Sequence, residues 1–265
     1  MLGQSTAALE VGFRRGIQSV IGTPSIHERQ KWMAAWPHLT RLPVCGVRVL
    51  DAGCGTGAWA LELARLRPGW EIVGIDRDEV AVRAAEHARQ RLRCSNVVFA
   101  SADFLQYRPL ALFDVVLSVH SAHYLAASGK GDAFFAAVRS WLNPGGRLML
   151  LGPRRFDRAP FLSQLPGPKQ PWNVFSGDDL RRLCEQENLA VEVLQPTTSR
   201  LGAAAKQLAW ATESRGRLLS LVLWPIEWCL TAIDSRRRIQ PADPSVGWLL
   251  IASAASDSGC QPARS

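Results

Sequence analysis

No two cysteines in this chain stand at metal-ligating or disulfide-framework spacing. Cys45, Cys54, Cys94, Cys184, Cys229 and Cys260 are scattered over 265 residues, without CxxC pairs and without alternating histidines. That excludes a zinc ribbon or a disulfide scaffold, and fits reduced thiols in a cytosol. The start, MLGQSTAALEVGFRRG, has no continuous apolar run and no small-residue cleavage pattern, so export is not expected and a cytoplasmic location is. Internal repeats and long polar tracts are missing too. With 47% hydrophobic and 20% charged residues, the composition is that of an ordinary globular protein. A concentrated basic stripe is also absent. The net charge of +8 is shared between the halves, with 15 Lys/Arg against 12 Asp/Glu in residues 1–138 and 16 against 11 in 139–265. A nucleic-acid face gathers its charge in one place, so no nucleic-acid partner is expected. The tightest clusters, Arg236-Arg237-Arg238 and Arg154, Arg155 and Arg158, read as solvated surface.

What is present is an alternation of strand and helix. VRVLDA (47–52) is a short β-branched run ending at a glycine loop, and AWALELARL (58–66) repeats its apolar positions at helical spacing before Pro68-Gly69. EIVGID (71–76) is a second strand, followed by a helix over 78–93 with acids in its first turn. NVVFASAD (96–103) and FDVVLSVH (113–120) are the third and fourth strands. A helix near 131–142 stops at Asn143-Pro144-Gly145-Gly146 and turns into RLMLLG (147–152). This order predicts an α/β fold, a doubly wound, mainly parallel sheet with helices on both faces. After Gly152 the pattern loosens into a flap over 153–176, a helix over 178–189, a strand over 190–196, a helical stretch over 202–235 and a last strand over 247–254. We read one domain: an N-terminal helical lid (1–43), a core (44–152) and a substrate-side half (153–265) with a helical insertion at about 197–240.

Residues 217–234 (RLLSLVLWPIEWCLTAID) are apolar, but Pro225, Glu227 and the short uninterrupted stretch fall below the ~20 residues a membrane span needs. A cap helix over a pocket is the first reading. The alternative is an interfacial helix that, with the arginine triplet, gives 217–238 a peripheral contact at the inner face of a membrane.

The glycine loop is Asp51-Ala52-Gly53-Cys54-Gly55-Thr56-Gly57. A glycine loop after a first strand serves nicotinamide and flavin folds as well. Those folds leave the helix N-terminus free for a pyrophosphate, whereas here an acid precedes the first glycine by two residues. S-adenosyl-L-methionine has no phosphate; it carries a sulfonium, an ammonium and a carboxylate, and an acid at the strand end suits it. Cys54 reads as a small packing residue, since no histidine near in sequence activates it. Asp76, ending the second strand, can accept both hydroxyls of a ribose, while Asp78 is the better helix cap. Asp103 ends the third strand, where it can reach an exocyclic amine while Phe104 packs on the ring. Phe113-Asp114-Val115-Val116 is a strand begun by an acid.

VLDAGCGTG, the acid of GID, the SAD triplet, FDVVLS and LNPGGRLML stand in the order and spacing of class I S-adenosylmethionine-dependent methyltransferases. The chain resembles their small-molecule branch, which includes ubiquinone- and menaquinone-type enzymes, over about residues 44–152. The resemblance implies a Rossmann-like seven-stranded sheet of order 3-2-1-4-5-7-6 with strand seven antiparallel, and a helical cap. It implies that Gly53, Cys54 and Gly55 run beside the methionine part of the cofactor, with Asp51 at the strand end and Asp76 on the ribose. Arg77 then lies beside the adenine, Ala102, Asp103 and Phe104 surround the base, and Ser118 faces the methionine side.

Displacing a methyl group from a sulfonium asks mainly for alignment and exclusion of water. A base is required only when the acceptor is a hydroxyl or an acidic carbon. His123 is the first candidate for base or acceptor orienter and His120 the second; the alternative is that they hydrogen-bond the loop. Tyr124 is a candidate acceptor donor or a packing residue. In similar enzymes the segment corresponding to 23–36 folds over the cofactor, so His27, Arg29 or Trp32 is a candidate ligand contact; a helix covering the sheet edge is the alternative. No acidic cluster resembles the metal site of catechol-type methyltransferases, so no metal is expected. The Trp-rich, basic tail from 196 loosely resembles the extensions of bacterial methyltransferases acting on quinones, secondary metabolites or lipid-linked sugars. The expected activity is methylation of a small or lipophilic acceptor, on oxygen first and on carbon or nitrogen second, with S-adenosyl-L-homocysteine as product. Methylation of RNA or protein is the second reading, disfavoured because SVHS (118–121) stands where an Asn/Asp-Pro-Pro-Tyr/Phe motif is expected. A binding protein that has lost turnover is the third.

Overall fold

A computed structural model describes residues 26–153, 175–205 and 247–256, together with 226, 229, 230, 232–234 and 239. Four readings lie outside the described residues: the flap over 154–174, most of the apolar segment 217–234, the arginine clusters, and Cys260. Side chains are described from Gln30 onward, so those of His27 and Arg29 are also outside.

The elements are α1 (Ile26–Leu39), β1 (Cys45–Ala52), α2 (Ala58–Leu66), β2 (Gly69–Asp76), α3 (Glu79–Leu92), β3 (Val97–Ser101), β4 (Phe113–Val119), α4 (Ala122–Ala127), α5 (Gly131–Trp141), β5 (Leu142–Pro153), α6 (Gly177–Gln186), β6 (Leu189–Pro196) and β7 (Gly247–Ala254). The seven strands form one sheet in the order β3-β2-β1-β4-β5-β7-β6, with β7 antiparallel, as the resemblance implied. Two details differ from the sequence reading. The short helix α4 stands where HSAHYL was taken as loop, and β5 begins at Leu142, so Asn143-Pro144-Gly145-Gly146 belongs to the start of the strand.

The chain divides into two compact units. One comprises 43–150, 177–193 and 250–265. At its centre β1 pairs in parallel with β2 through Leu50↔Val73 and Ala52↔Ile75, and with β4 through Leu50↔Val116 and Asp51↔Leu117. Flanked on both sides, the second half of β1 is buried, which explains its unbroken VLDA run. The chain leaves β1 toward β2 and β3 on one side, while β4 lies on the other. The carboxyl ends of β1 and β4 therefore form a switch point, the crevice where open α/β sheets bind ligands. Trp70, Phe113, Phe134, Phe135 and Trp141 are fully buried around this sheet; each contributes on the order of 1.5–3 kcal/mol by leaving water. α3 starts at Asp78, whose carboxylate accepts the N–H groups of Val80 (2.8 Å) and Ala81 (3.3 Å), the cap expected from the sequence.

The other unit comprises 1–42, 151–176 and 194–249. In it α1 carries Trp32 stacked on Trp36, with ring centroids 5.4 Å apart. Gln30 donates from Nε2 to the Gly202 carbonyl at 3.1 Å. Asp234 is buried and accepts the Ser199 hydroxyl and N–H and the Gly202 N–H, so it closes the N-terminal end of the helical stretch 200–205.

Candidate functional site

The crevice is built by the turn that follows β1. Both Gly53 and Cys54 donate their N–H groups to the Ile75 carbonyl, at 2.8 and 3.0 Å, so the loop bends over the end of β2. Gly53 has φ +82°, and a Cβ there would stand 2.2 Å from the Ser121 Cβ and 2.9 Å from the Phe104 ring. Glycine is required for the left-handed turn and for the close approach. Among the described residues, Gly55, at φ +52°, faces nothing within 4 Å of an added Cβ. One glycine admits the protein's own chain, the other leaves room for something else.

Asp51 is 1% exposed at the end of β1. Among the described residues its buried Oδ2 has no hydrogen-bond partner, and one backbone N–H, from Ala60 of α2, reaches the carboxylate. Burial, and less strongly the charge of Asp76, push its pKa up to about 7. A carboxyl group with a vacant buried oxygen is a site for a cation, which would repay its desolvation.

Asp76 ends β2. Its Oδ2 accepts the Gly55 N–H at 2.9 Å and its Oδ1 the Asp78 N–H at 3.0 Å. A carboxylate offers about four acceptor positions, so roughly two remain after these bonds, the number a vicinal diol uses. Arg77 beside it is exposed. Beyond β3, Ala102 donates its N–H to the Asp76 carbonyl at 2.9 Å, and the exposed Asp103 accepts the Leu105 N–H on Oδ1 at 2.8 Å. Phe104 packs on Phe134, ring centroids 5.8 Å apart, and presents its edge beside Gly53. Cys54 is buried, and burial together with Asp51 and Asp76 drives its thiol far above the ordinary range, which leaves no thiolate for nucleophilic chemistry.

At the end of β4, Ser118 is 1% exposed and its hydroxyl lies 2.7 Å from that of Ser121. His120 adopts φ +53°, a left-handed conformation uncommon for a residue other than glycine. Its ring meets His123 edge-on, centroids 5.7 Å apart, and His123 lies 4.1 Å from the Tyr124 ring. His123 is buried and Tyr124 exposed. Asp51, Gly53, Cys54, Gly55, Asp76, Arg77, Ala102, Asp103, Phe104, Ser118, His120, His123 and Tyr124 thus all belong to one unit, on the carboxyl edge of its strands. Trp32 is buried in the other unit, stacked on Trp36. Among the described residues, no group of three or more His, Cys, Asp and Glu is arranged to hold a metal ion.

Two residues have roles that sequence reasoning did not assign. Asp114 accepts the Arg48 N–H and the Asn143 side-chain amide, both at 2.8 Å, so this acid ties β1 and β5 to the start of β4. Ser121 joins the β4 loop to the glycine loop; nothing in its sequence neighbourhood separates it from an ordinary helix cap.

Comparison with known proteins follows the same outline. Residues 44–201 match the family described as Methyltransferase domain. The chain is 39% identical over 80 residues to the release factor glutamine methyltransferase of Escherichia coli K12, covering 30% of this chain and 29% of that protein. It is 28% identical over 190 residues to the ubiquinone biosynthesis O-methyltransferase of Roseobacter denitrificans, covering 68% and 72%. Among solved structures, the [4+2]-cyclase SpnF superposes with a TM-score of 0.61 at 20% identity, over 86% of this chain and 81% of that one. The chain spans under half the length of the first curated relatives it matches.

Proposed function

The chain belongs to the methyltransferase-domain family, and from that premise we propose that it binds S-adenosyl-L-methionine at the carboxyl edge of β1–β4 and methylates a small or lipophilic acceptor. The observation that carries the reading is the buried Oδ2 of Asp51, without a partner among the described residues, at the strand end that leads into the open backbone at Gly55. A phosphate-bearing dinucleotide would be repelled by that acid, whereas an ammonium group would be held by it. Asp76 keeps acceptor positions for a ribose diol. Asp103 and Phe104 offer a hydrogen-bond acceptor and a ring for a base. The residues present fit the cofactor.

When bound, S-adenosyl-L-methionine supplies a methyl group on a sulfonium, displaced in line to leave S-adenosyl-L-homocysteine. The chain contributes alignment: the Gly53 turn and the strand-end acids hold the cofactor's polar groups in one orientation. His123, with His120 second, is proposed to take the proton of a hydroxyl acceptor at an imidazole nitrogen, and Tyr124 to contact the acceptor from the exposed side. Oxygen is the favoured acceptor atom, because two histidines beside the cofactor edge suit a group that must lose a proton. Likeness to the ubiquinone biosynthesis O-methyltransferase over most of the chain supports this choice. The release factor glutamine methyltransferases match a shorter stretch, and SVHS at 118–121 lacks the motif expected for amide methylation. Residues 1–265 are proposed to act as one domain.

Calorimetric titration with S-adenosyl-L-methionine and S-adenosyl-L-homocysteine tests the cofactor, and no heat of binding with either removes the proposal. Incubation with the radiolabelled cofactor and separated small-molecule, lipid and RNA pools tests the acceptor. Label confined to RNA overturns the acceptor class.

A further inference from the structure

Ser121 occupies the N-cap position of α4, yet its side chain makes no capping bond. Serine is favoured at that position because its oxygen accepts an N–H of the first turn, a bond whose loss typically costs about 1 kcal/mol. Here the hydroxyl is turned away from its own helix and donates to the Ala52 carbonyl at 2.7 Å, 69 residues earlier in the chain. A hydroxyl has one proton. Since Ser121 spends its proton on Ala52, Ser118 must be the donor in the 2.7 Å contact between the two serines. The result is a directed chain, Ser118 to Ser121 to Ala52, inside the protein.

Geometry around this chain is tight. Ala52 precedes Gly53, and a Cβ on Gly53 would fall 2.2 Å from the Ser121 Cβ and 2.6 Å from its oxygen. No room remains for a side chain between the two loops. The left-handed residue immediately before, His120, reverses the chain so that Ser121 points back at β1. Strain of this kind costs of order 1–3 kcal/mol and persists where neighbouring contacts hold it. Ser121 therefore sits between the two proposed proton-handling histidines and fastens them to the glycine turn.

We propose that Ser121 is a positioning residue, whose hydroxyl locks the His120–Tyr124 segment onto Ala52-Gly53 and sets the glycine turn in its binding shape. This rests on the cofactor reading above, because the quantity it governs is affinity for S-adenosyl-L-methionine. Ser121 acts through Ala52 and Gly53; it touches no reacting atom.

The test uses the full chain with S121A and S121C, and S128A as a control that removes an exposed hydroxyl bonded to the Leu125 carbonyl. Two readouts are taken: cofactor affinity by calorimetry, and amide hydrogen exchange of the free protein at 52–57 and 120–125. S121A is expected to bind S-adenosyl-L-methionine five- to twentyfold more weakly and to exchange faster at both segments together. S121C, a weaker donor of similar size, should fall between S121A and the unaltered chain, and it carries the test if S121A does not fold. S128A should match the unaltered chain in both readouts. Wild-type affinity in S121A or S121C, even with a lower melting temperature, overturns the proposal, as does faster exchange confined to one segment. Failure of the unaltered protein to bind the cofactor is read before any variant and overturns the cofactor reading; unchanged exchange in S121A then independently overturns the lock.

Discussion

Asp51 and the two glycines beside it lead to separate outcomes at the scale of single residues. Because burial holds the Asp51 pKa near 7, against 3.8 as the ordinary value, the folded protein binds a proton there that the unfolded chain releases. Stability from this group is therefore greatest below about pH 4 and declines as pH rises toward 7, by at most roughly 4 kcal/mol. An ammonium ligand favours the ionised form, so affinity for S-adenosyl-L-methionine is expected to rise between pH 6 and 8. In D51N that slope should flatten, and titrations across this range check it; equal slopes in both proteins would refute the assignment. G53A combines a left-handed φ with a 2.2 Å contact and is expected to cost about 3 kcal/mol or more of stability. G55A meets no neighbour, so it should cost only about 1 kcal/mol while weakening cofactor binding at least tenfold. Melting curves and calorimetry on the same two proteins separate a glycine needed by the fold from one needed by the ligand.

Among elements, β4 has opposite duties at its two ends. Asp114 at its start accepts from Arg48 and Asn143 and holds three strands in register, whereas Ser118 and His120 at its end belong to the crevice. D114A leaves two donors without their acceptor and is expected to lower stability by about 2 kcal/mol or more. The urea midpoint should fall without a change in slope. Cofactor affinity of the folded fraction should stay within twofold, since Asp114 accepts from Arg48 and Asn143 at the opposite end of the strand from the glycine loop. A tenfold loss of affinity in D114A would place it instead within the site. FDVVLS was legible as a strand marker from its acid and its apolar run, and the resemblance put Ser118 and the histidines at its carboxyl end; the tie made by Asp114 was not legible, because its partners lie on other strands.

For the whole molecule, ligand binding and folding are linked. At a hundredfold excess over its Kd, S-adenosyl-L-methionine stabilises the form it binds by about 2.7 kcal/mol. In a chain of this size that corresponds to a rise in Tm of roughly 5–10 °C. D76A, which removes the acceptor for the Gly55 N–H and for a ribose, should lose most of the shift. A full shift in D76A would contradict the role given to this acid. Such a measurement needs no knowledge of the acceptor, which neither the loop nor its acids specify.

The alternation of strands and helices, the glycine turn, and the acids at the ends of β1, β2 and β3 could all be read from the sequence. Each is written in local chemistry: an apolar period, a positive φ that only glycine takes easily, a polar residue where a strand stops. Even Asp78 as the cap of α3 was readable, because a cap bonds within three residues of itself. Only the folded arrangement shows that the Asp51 carboxylate is buried with one oxygen lacking a partner among the described residues, that Asp114 is a tie between strands, and that Ser121 forgoes its own helix. These depend on partners 66 and 69 residues away for Asp114 and Ser121, and on layers of packing for Asp51. Hydrogen bonds and burial of that range arise only when the sheet has closed.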